Sequence, residues 1–116
     1  MKDFKKLMIW QLGMDIVDKV YDAVPQLPQE EKYGMKSQMT RSAFSIPSNI
    51  AEGSAKKSQR EYSRYIEISL GSAFELETHL LLVQRRKWVE EKMIAKLIEM
   101  IVVEQKMLQS FIRKLE

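Results

Sequence analysis

The sequence contains no cysteine and a single histidine, and both shortages restrict the chemistry that the chain can perform. Without cysteine there is no disulfide bond and no thiolate metal site, a composition that suits the cytosol, so we expect a cytoplasmic protein. Di-metal sites in helical bundles use Glu-x-x-His on two helices, and His79 has no glutamate three residues before it. We therefore predict no metal, no cofactor and no catalytic residue, with His79 as a surface or interface residue.

Long apolar runs are also missing, and glycine and proline are scarce. No run of about 18 apolar residues is present, so no membrane-spanning segment is expected, and the N-terminus lacks the apolar stretch of a signal peptide. The 116 residues include only 4 Gly and 3 Pro but 45% hydrophobic and 30% charged residues. This composition and length predict one mostly helical domain over residues 1–116, with a packed core.

Apolar residues recur at helical spacing in four segments, which predicts an all-α fold. The first predicted helix covers residues 4–24 and is stopped by Pro25. The second begins with Pro28 as its first helical residue and stops at Gly53. Because the connecting segments are short, the prediction is an antiparallel up-down-up-down four-helix bundle.

The third and fourth helices carry further signals. A capping box of Ser58 and Glu61 opens the third helix, and Gly71 with small neighbours inside it predicts a close approach of another helix. The fourth helix, opening near Glu90, has a wider apolar stripe than one bundle core requires. The surplus predicts a second buried surface and hence self-association. Scattered exposed apolar residues are the alternative explanation.

The proline inside the second helix does not disturb the apolar rhythm around it. The apolar positions follow one another at spacings of 4, 4, 3 and 4 residues, and they are Met35, Met39, Ala43, Ile46 and Ile50. The stripe passes Pro47 in phase, which favours a continuous helix kinked at Pro47. The alternative is a break, with a new helix starting near Ser45 or Ile46.

Polar residues of the same segment share one helical face, and a second set lies on the third helix. The two sets are Arg41, Ser45, Asn49 and Glu52, and Ser69, Ser72 and Glu75. In antiparallel helices Arg41 comes opposite Glu75, so we predict a direct or water-mediated contact between them, with Ser45 and Asn49 bonding across the helices. A ligand-binding role for this polar stripe is the alternative.

Basic residues form two clusters beside two predicted turns. The clusters are Lys56, Lys57, Arg60 and Arg64, and Arg85, Arg86 and Lys87. Such groups neutralise phosphates without reading bases, so RNA or DNA is a candidate partner. The clusters lie at opposite ends of an antiparallel bundle, but a ring of copies would turn each end into a basic rim. Solvated charge that stabilises a helix C-terminus is the alternative.

Three stretches of the sequence resemble one known family. They read FKKLMIWQ, PQEEKYGMKSQMTRSAFSIPSNIAEG and SQREYSRYIEISLGSAFELETHLLL, and they resemble the bacterial 23S ribosomal RNA intervening-sequence proteins. The positions that match the recurring motif are Arg41, Ser45, Pro47, Asn49, Glu52, Gly53, Gly71, Ser72, Glu75 and Glu77. The resemblance implies a four-helix bundle that assembles into a ring-like homopentamer, and it brings no catalytic residues.

The family is also similar to an accessory protein of diversity-generating retroelements, in which a basic ring is associated with nucleic acid and a reverse transcriptase. The combined expectation is a non-enzymatic oligomer that binds RNA, or assembles with it, through basic rims. The rival expectation is a scaffold for another protein, with no nucleic-acid role.

Overall fold

The computed structural model describes residues 3–116, and in that range it contains four α-helices, short 3-10 turns and no strand. The four helices are α1 (Met8–Ala23), α2 (Met35–Ser54), α3 (Gln59–Arg86) and α4 (Glu91–Leu115). No helix in the described range combines the length and the apolar character that crossing a lipid bilayer requires. The predicted all-α class and helix number are confirmed.

Each helix packs against the next in the chain, and α4 packs back against α1. Between α2 and α3, Ser42 lies beside His79 near one end, and Gly53 lies beside Tyr62 near the other. Later residues of α2 therefore lie beside earlier residues of α3, which shows that the two helices pack antiparallel. The predicted up-down-up-down bundle is confirmed, with the α2–α3 turn at one end and the α3–α4 turn at the other.

One hydrophobic core runs through the bundle, and every helix contributes to it. The inward positions follow the helical period, because residues three or four apart lie on one face. The largest fully buried side chains are Tyr62, Ile16, Met39, Ile46, Ile50, Ile66, Leu76, Leu80, Ile94, Leu97, Ile101 and Leu108.

The first helix starts later than its apolar pattern predicts. Residues Phe4–Lys6 form a 3-10 turn, in which the Asp3 carboxylate accepts a hydrogen bond from the Lys5 amide at 3.1 Å. Leu7 is extended and separates this turn from α1. The Phe4 ring packs edge-on against Trp10, with 5.4 Å between ring centroids, so Phe4 keeps an apolar contact without being part of the helix.

The second helix also starts later than expected, at Met35 and not at Pro28. Residues Gln29–Glu31 form a 3-10 turn, and the chain bends at Gly34 before α2. The Glu31 side chain then accepts a hydrogen bond from the Met35 amide at 3.0 Å. This bond satisfies one of the donors that a helix start leaves without a partner.

Helix α2 continues through Pro47, so the alternative of a break and restart is wrong. The kink at Pro47 stays a prediction. Gly53 does not stop the helix either, because α2 includes it and ends at Ser54. Gly53 instead allows a close approach, since a Cβ atom there would lie 2.7 Å from Cβ of Tyr65. Gly71, for which a close approach was predicted, has no atom within 4 Å of the same position, so that prediction is wrong.

The ends of α3 and the start of α4 follow the sequence signals. The Ser58 hydroxyl accepts a hydrogen bond from the Glu61 amide at 3.1 Å, as the capping box predicts. Helix α3 ends at Arg86, and the next residue, Lys87, lies in the left-handed region with φ 57°. The Glu90 carboxylate caps α4 by accepting hydrogen bonds from the Lys92 and Met93 amides.

Candidate nucleic-acid interface

The antiparallel topology gathers basic residues from four elements at the α2–α3 end of the bundle. The 3-10 turn before α1, the connection between α2 and α3, the start of α3 and the end of α4 all meet there. The 3-10 turn before α1 packs on α2, and the rings of Tyr62 in α3 and Phe111 in α4 meet edge-to-face, with 5.6 Å between centroids. We call this set the basic end; it comprises Lys5, Lys6, Lys56, Lys57, Arg60, Arg64, Arg113 and Lys114.

None of these cations forms an ion pair in the described residues, where the one ion pair joins Lys96 to Glu99 at 3.5 Å. All are exposed except Lys56, which is half-buried with its ammonium 5.0 Å from the centroid of the Tyr65 ring. Carboxylates also occur at this end, but the cations outnumber them, and the carboxylates are Asp3, Glu52, Glu61 and Glu116. The cations are therefore available to an anionic partner.

A cavity of about 330 Å³ opens at the basic end, between the start of α1 and the end of α4. Its walls are mostly apolar, and its lining residues are Lys6, Leu7, Met8, Ile9, Met107, Ser110, Phe111 and Lys114. Two lysines and one hydroxyl thus border a surface of aliphatic and aromatic groups. A planar apolar ring that carries a phosphate matches this combination, because aromatic groups stack and lysines neutralise phosphate.

Half of the basic end was not identified from the sequence. The predicted cluster covered Lys56 to Arg64, whereas Lys5, Lys6, Arg113 and Lys114 come from the two termini of the chain. These four cations could have been assigned to this end from the sequence, because an antiparallel four-helix bundle places both termini beside the α2–α3 turn.

The second predicted cluster lies at the α3–α4 end. Arg85 and Arg86 occupy the last turn of α3, where cations interact favourably with the helix macrodipole. The Arg86 guanidinium also lies 6.0 Å from the centroid of the Trp88 ring. Acidic residues share this end, since the Glu90 amide donates a hydrogen bond to the Gln26 side chain at 2.8 Å, so the acidic α1–α2 connection lies close by. This end is consequently mixed in charge.

The model of the family described as 23S rRNA-intervening sequence protein matches residues 5–110. The chain belongs to this family. The resemblance seen in the three sequence stretches is thereby confirmed. None of the curated proteins with which the sequence was compared is similar to it.

A solved structure similar to this member of the 23S rRNA-intervening sequence family is a protein with unknown function of the S23 ribosomal protein family, from Bacteroides thetaiotaomicron VPI-5482. The two chains superpose with a TM-score of 0.83 at 22% sequence identity, over 90% of this chain and 98% of the other. At this identity the likeness supports the four-helix fold and no finer property.

The polar stripe of this 23S rRNA-intervening sequence protein does not join α2 to α3 in the way predicted. No ion pair links Arg41 to Glu75 in the described residues, and the Asn49 amide donates to the Ser45 carbonyl, at 2.7 Å, inside α2. Glu52 is exposed and Ser72 is half-buried. The direct Arg41–Glu75 ion pair is therefore absent from the described residues, and the water-mediated contact stays a prediction.

Two serines connect the helices instead: Ser69, which belongs to the predicted polar set of α3, and Ser42, which belongs to neither predicted set. The buried Ser69 hydroxyl of α3 donates to the Ile46 carbonyl of α2 at 2.9 Å. The Ser42 hydroxyl lies 3.4 Å from Nδ1 of His79. Buried polar groups of this kind fix the register of two helices when they are satisfied.

The single histidine is half-buried and faces α2. Burial lowers the pKa of His79, and the nearby Glu75 carboxylate opposes that shift to a smaller extent. On α3 the neighbouring Glu77 accepts a hydrogen bond from the Gln105 amide of α4 at 2.8 Å. The described residues contain no group of three or more acidic, histidine or cysteine side chains that could hold a metal ion.

Proposed function

We propose that the protein is a non-enzymatic, self-associating RNA-binding protein that holds the phosphate backbone of RNA against its basic end. The observation that carries the proposal is the gathering of cations from four segments, none of which forms an ion pair within residues 3–116. The description of the family refers to 23S rRNA, which is consistent with an RNA partner.

The proposed binding is electrostatic and independent of sequence. Lysine and arginine side chains neutralise phosphates and release counterions, which makes the affinity strongly dependent on salt. The cavity between α1 and α4 adds a place for one unpaired base, stacked near Phe111 and flanked by Lys6 and Lys114. Because such a base must be unpaired, single-stranded RNA is the preferred form.

Self-association is supported by apolar surfaces on opposite faces of the bundle. The α1–α2 face exposes Met14, Tyr21 and Phe44 around a shallow groove. The α3–α4 face exposes Phe74 beside Gly71, again around a groove. A contact between two unlike faces is heterologous, and it closes into a ring when the rotation between copies permits. A homopentamer of this kind would repeat the basic end as a continuous rim.

The direct test is a titration of labelled single-stranded RNA, duplex RNA and single-stranded DNA at about 50 mM and about 200 mM salt. We expect affinity to fall by at least tenfold between the two concentrations, since several phosphates are neutralised. The triple substitution Lys57→Ala, Arg60→Ala and Arg64→Ala should weaken binding and reduce the salt slope by about three. Absence of binding at the lower salt concentration would remove the proposal.

The controls separate the two ends of the bundle and exclude a general charge effect. Lys96→Ala removes one charge from the exposed face of α4, where Lys96 pairs with Glu99, and should leave binding unchanged. Substituting Arg85 and Arg86 by alanine should have a smaller effect than the basic-end variant, because acidic residues share that end. A larger effect of the Arg85 and Arg86 variant would indicate that RNA binds at the α3–α4 end instead.

A protein-binding scaffold is the second candidate, and the exposed aromatic side chains of both faces favour it. On that hypothesis, RNA fails to bind at low salt while the oligomer stays intact. Sedimentation velocity performed on the same samples distinguishes this outcome from loss of folding or assembly.

A further inference from the structure

Helix α4 carries a carboxyl group inside the hydrophobic core. The Glu104 side chain has 0% of its surface exposed, and both of its oxygen atoms lack a hydrogen-bond partner in the described residues. A buried polar group is normally hydrogen-bonded, because leaving it without a partner costs free energy. Glu104 is thus an exception among the buried polar side chains of the described residues, since Ser69 and Gln105, for example, are hydrogen-bonded.

The surroundings of Glu104 come from α1 and α2. A Cβ atom built on Gly13 of α1 would lie 3.2 Å from Oε2 of Glu104, and the same point lies 3.5 Å from side-chain atoms of Ile46 and Pro47 of α2. The missing side chain of Gly13 therefore leaves the space that the carboxyl group occupies. Pro47 has no backbone N–H to donate to it.

No charge faces this carboxyl group from the packed helices. The buried residues of α1 one turn either side of Gly13 are Ile9 and Ile16, and α2 presents Ile46, Pro47 and Ile50. From α3, Glu77 reaches α4 but is bonded to the Gln105 amide. Burial alone raises the pKa of Glu104 to about 8, from an ordinary value of 4.5.

We infer that the seam between α1 and α4 is a proton-controlled latch, closed over the neutral Glu104 carboxyl group and opened when that group ionises. An isolated carboxylate is too costly to keep in an apolar core, so ionisation requires water to reach the group. Separation of α1 from α4 exposes it, because Gly13 of α1 lies directly against the carboxyl oxygen.

The latch has a consequence at the cavity of the basic end. Met107, one turn along α4 from Glu104, lines that cavity together with Met8 and Ile9 of α1. Separation of α1 from α4 changes the walls of this cavity, so the loss of the Glu104 proton in the core alters the cavity at the surface. The latch itself does not depend on RNA binding, and its test uses the protein alone.

The sign of the pH dependence follows from the raised pKa. In the closed state the carboxyl group keeps its proton up to about pH 8, whereas in the open state it loses the proton near 4.5. The closed state is therefore most favoured below pH 4.5 and loses stability as pH rises through the interval up to about 8. Within that interval the opening equilibrium constant increases about tenfold per pH unit.

Hydrogen exchange of the α1 amides measures this opening. Corrected for the intrinsic effect of pH, the opening constant of α1 in the native protein should rise about tenfold per unit from pH 6 to pH 8. Glu104→Gln removes the ionisation and should abolish the dependence. The control Glu99→Gln, an exposed glutamate on the same helix, should behave like the native protein. Protection of α1 that is independent of pH in the native protein overturns the inference.

A second measurement needs no variant. Titration of the glutamate side-chain carbons by NMR should show one carboxyl group with a midpoint near pH 8, assigned to Glu104. A midpoint near the ordinary value of 4.5 for every glutamate overturns the inference. This measurement tests the raised pKa of Glu104, on which the latch depends, even where Glu104→Gln does not fold.

Discussion

Gly53 and Gly71 are both glycines inside helices, yet they sit in opposite environments. A Cβ atom on Gly53 would lie 2.7 Å from the Cβ of Tyr65, whereas one on Gly71 would meet no atom within 4 Å. Gly53→Ala should therefore lower the free energy of unfolding by about 1–3 kcal/mol, because α3 must move away. Gly71→Ala should raise it by about 1 kcal/mol, because alanine favours the helix.

Urea denaturation followed by circular dichroism measures both variants. A stable Gly53→Ala protein would contradict the close approach of α2 and α3. A destabilised Gly71→Ala protein would contradict the open environment of Gly71.

A third residue, Lys87, holds a backbone conformation that suits glycine. Its φ of 57° ends α3 in the left-handed region, and its side chain is exposed. Lys87→Gly should raise the free energy of unfolding by about 1 kcal/mol. The matched variant Arg86→Gly, inside the last helical turn, should lower it by about 1 kcal/mol. Thermal unfolding of the two variants measures both changes in stability. Equal changes of the same sign would contradict the expected preference for glycine in place of Lys87.

Single residues also show which features of the fold the sequence does not predict. Small neighbours predicted a close approach at Gly71, but they do not fix the rotation of α3, which turns Gly71 to solvent and Tyr65 towards Gly53 of α2. Glu104 was overlooked although its spacing to Ile101 and Leu108 places it on the inward face. Glutamate normally lies at the surface, so Glu104 was left out of the predicted core although the helical period places it there.

At the scale of the elements, the period predicted four helices and their order correctly, since long apolar stripes are strong signals. The starts of α1 and α2 were wrong because two 3-10 turns precede them. Those turns depend on individual side-chain bonds, from Asp3 to the Lys5 amide and from Glu31 to the Met35 amide. Apolar periodicity carries no information on such bonds.

The bond between Ser69 and the Ile46 carbonyl connects α3 to α2 inside the core. Ser69→Ala should lower the free energy of unfolding by about 1 kcal/mol, the usual net contribution of one hydrogen bond. Ser45→Ala is the matched control, since this half-buried serine of the polar stripe has no bond to α3; it should change stability by less than about 0.5 kcal/mol. Equal losses in both variants would contradict the assignment, and chemical denaturation measures them.

At the scale of the whole molecule, the topology decides which charges act together. The sequence showed two separate basic clusters of similar size, and only the antiparallel arrangement adds the cations of both termini to one of them. The same arrangement puts the two exposed apolar faces on opposite sides of the bundle, because one groove lies between α1 and α2 and the other between α3 and α4. Opposite faces favour a head-to-tail contact.

A head-to-tail contact gives a specific expectation for mixed variants. Phe44→Lys damages only the α1–α2 face and Phe74→Lys only the α3–α4 face, because each residue is exposed beside one groove. Each variant alone should lose self-association by at least tenfold, about 1.4 kcal/mol, and sediment as a single chain of 13.7 kDa. The exposed Glu99→Lys variant is the control and should assemble like the native protein.

A mixture of the two variants should form dimers and nothing larger. Each variant keeps one intact face, so the α1–α2 face of the Phe74→Lys chain can dock on the α3–α4 face of the Phe44→Lys chain, and the remaining faces are both damaged. In an isologous contact both partners use the same patch, and one of the two variants would then assemble normally on its own. Sedimentation velocity of each variant and of the equimolar mixture therefore separates a closed ring from a symmetric dimer, and native assembly by either variant would exclude the ring.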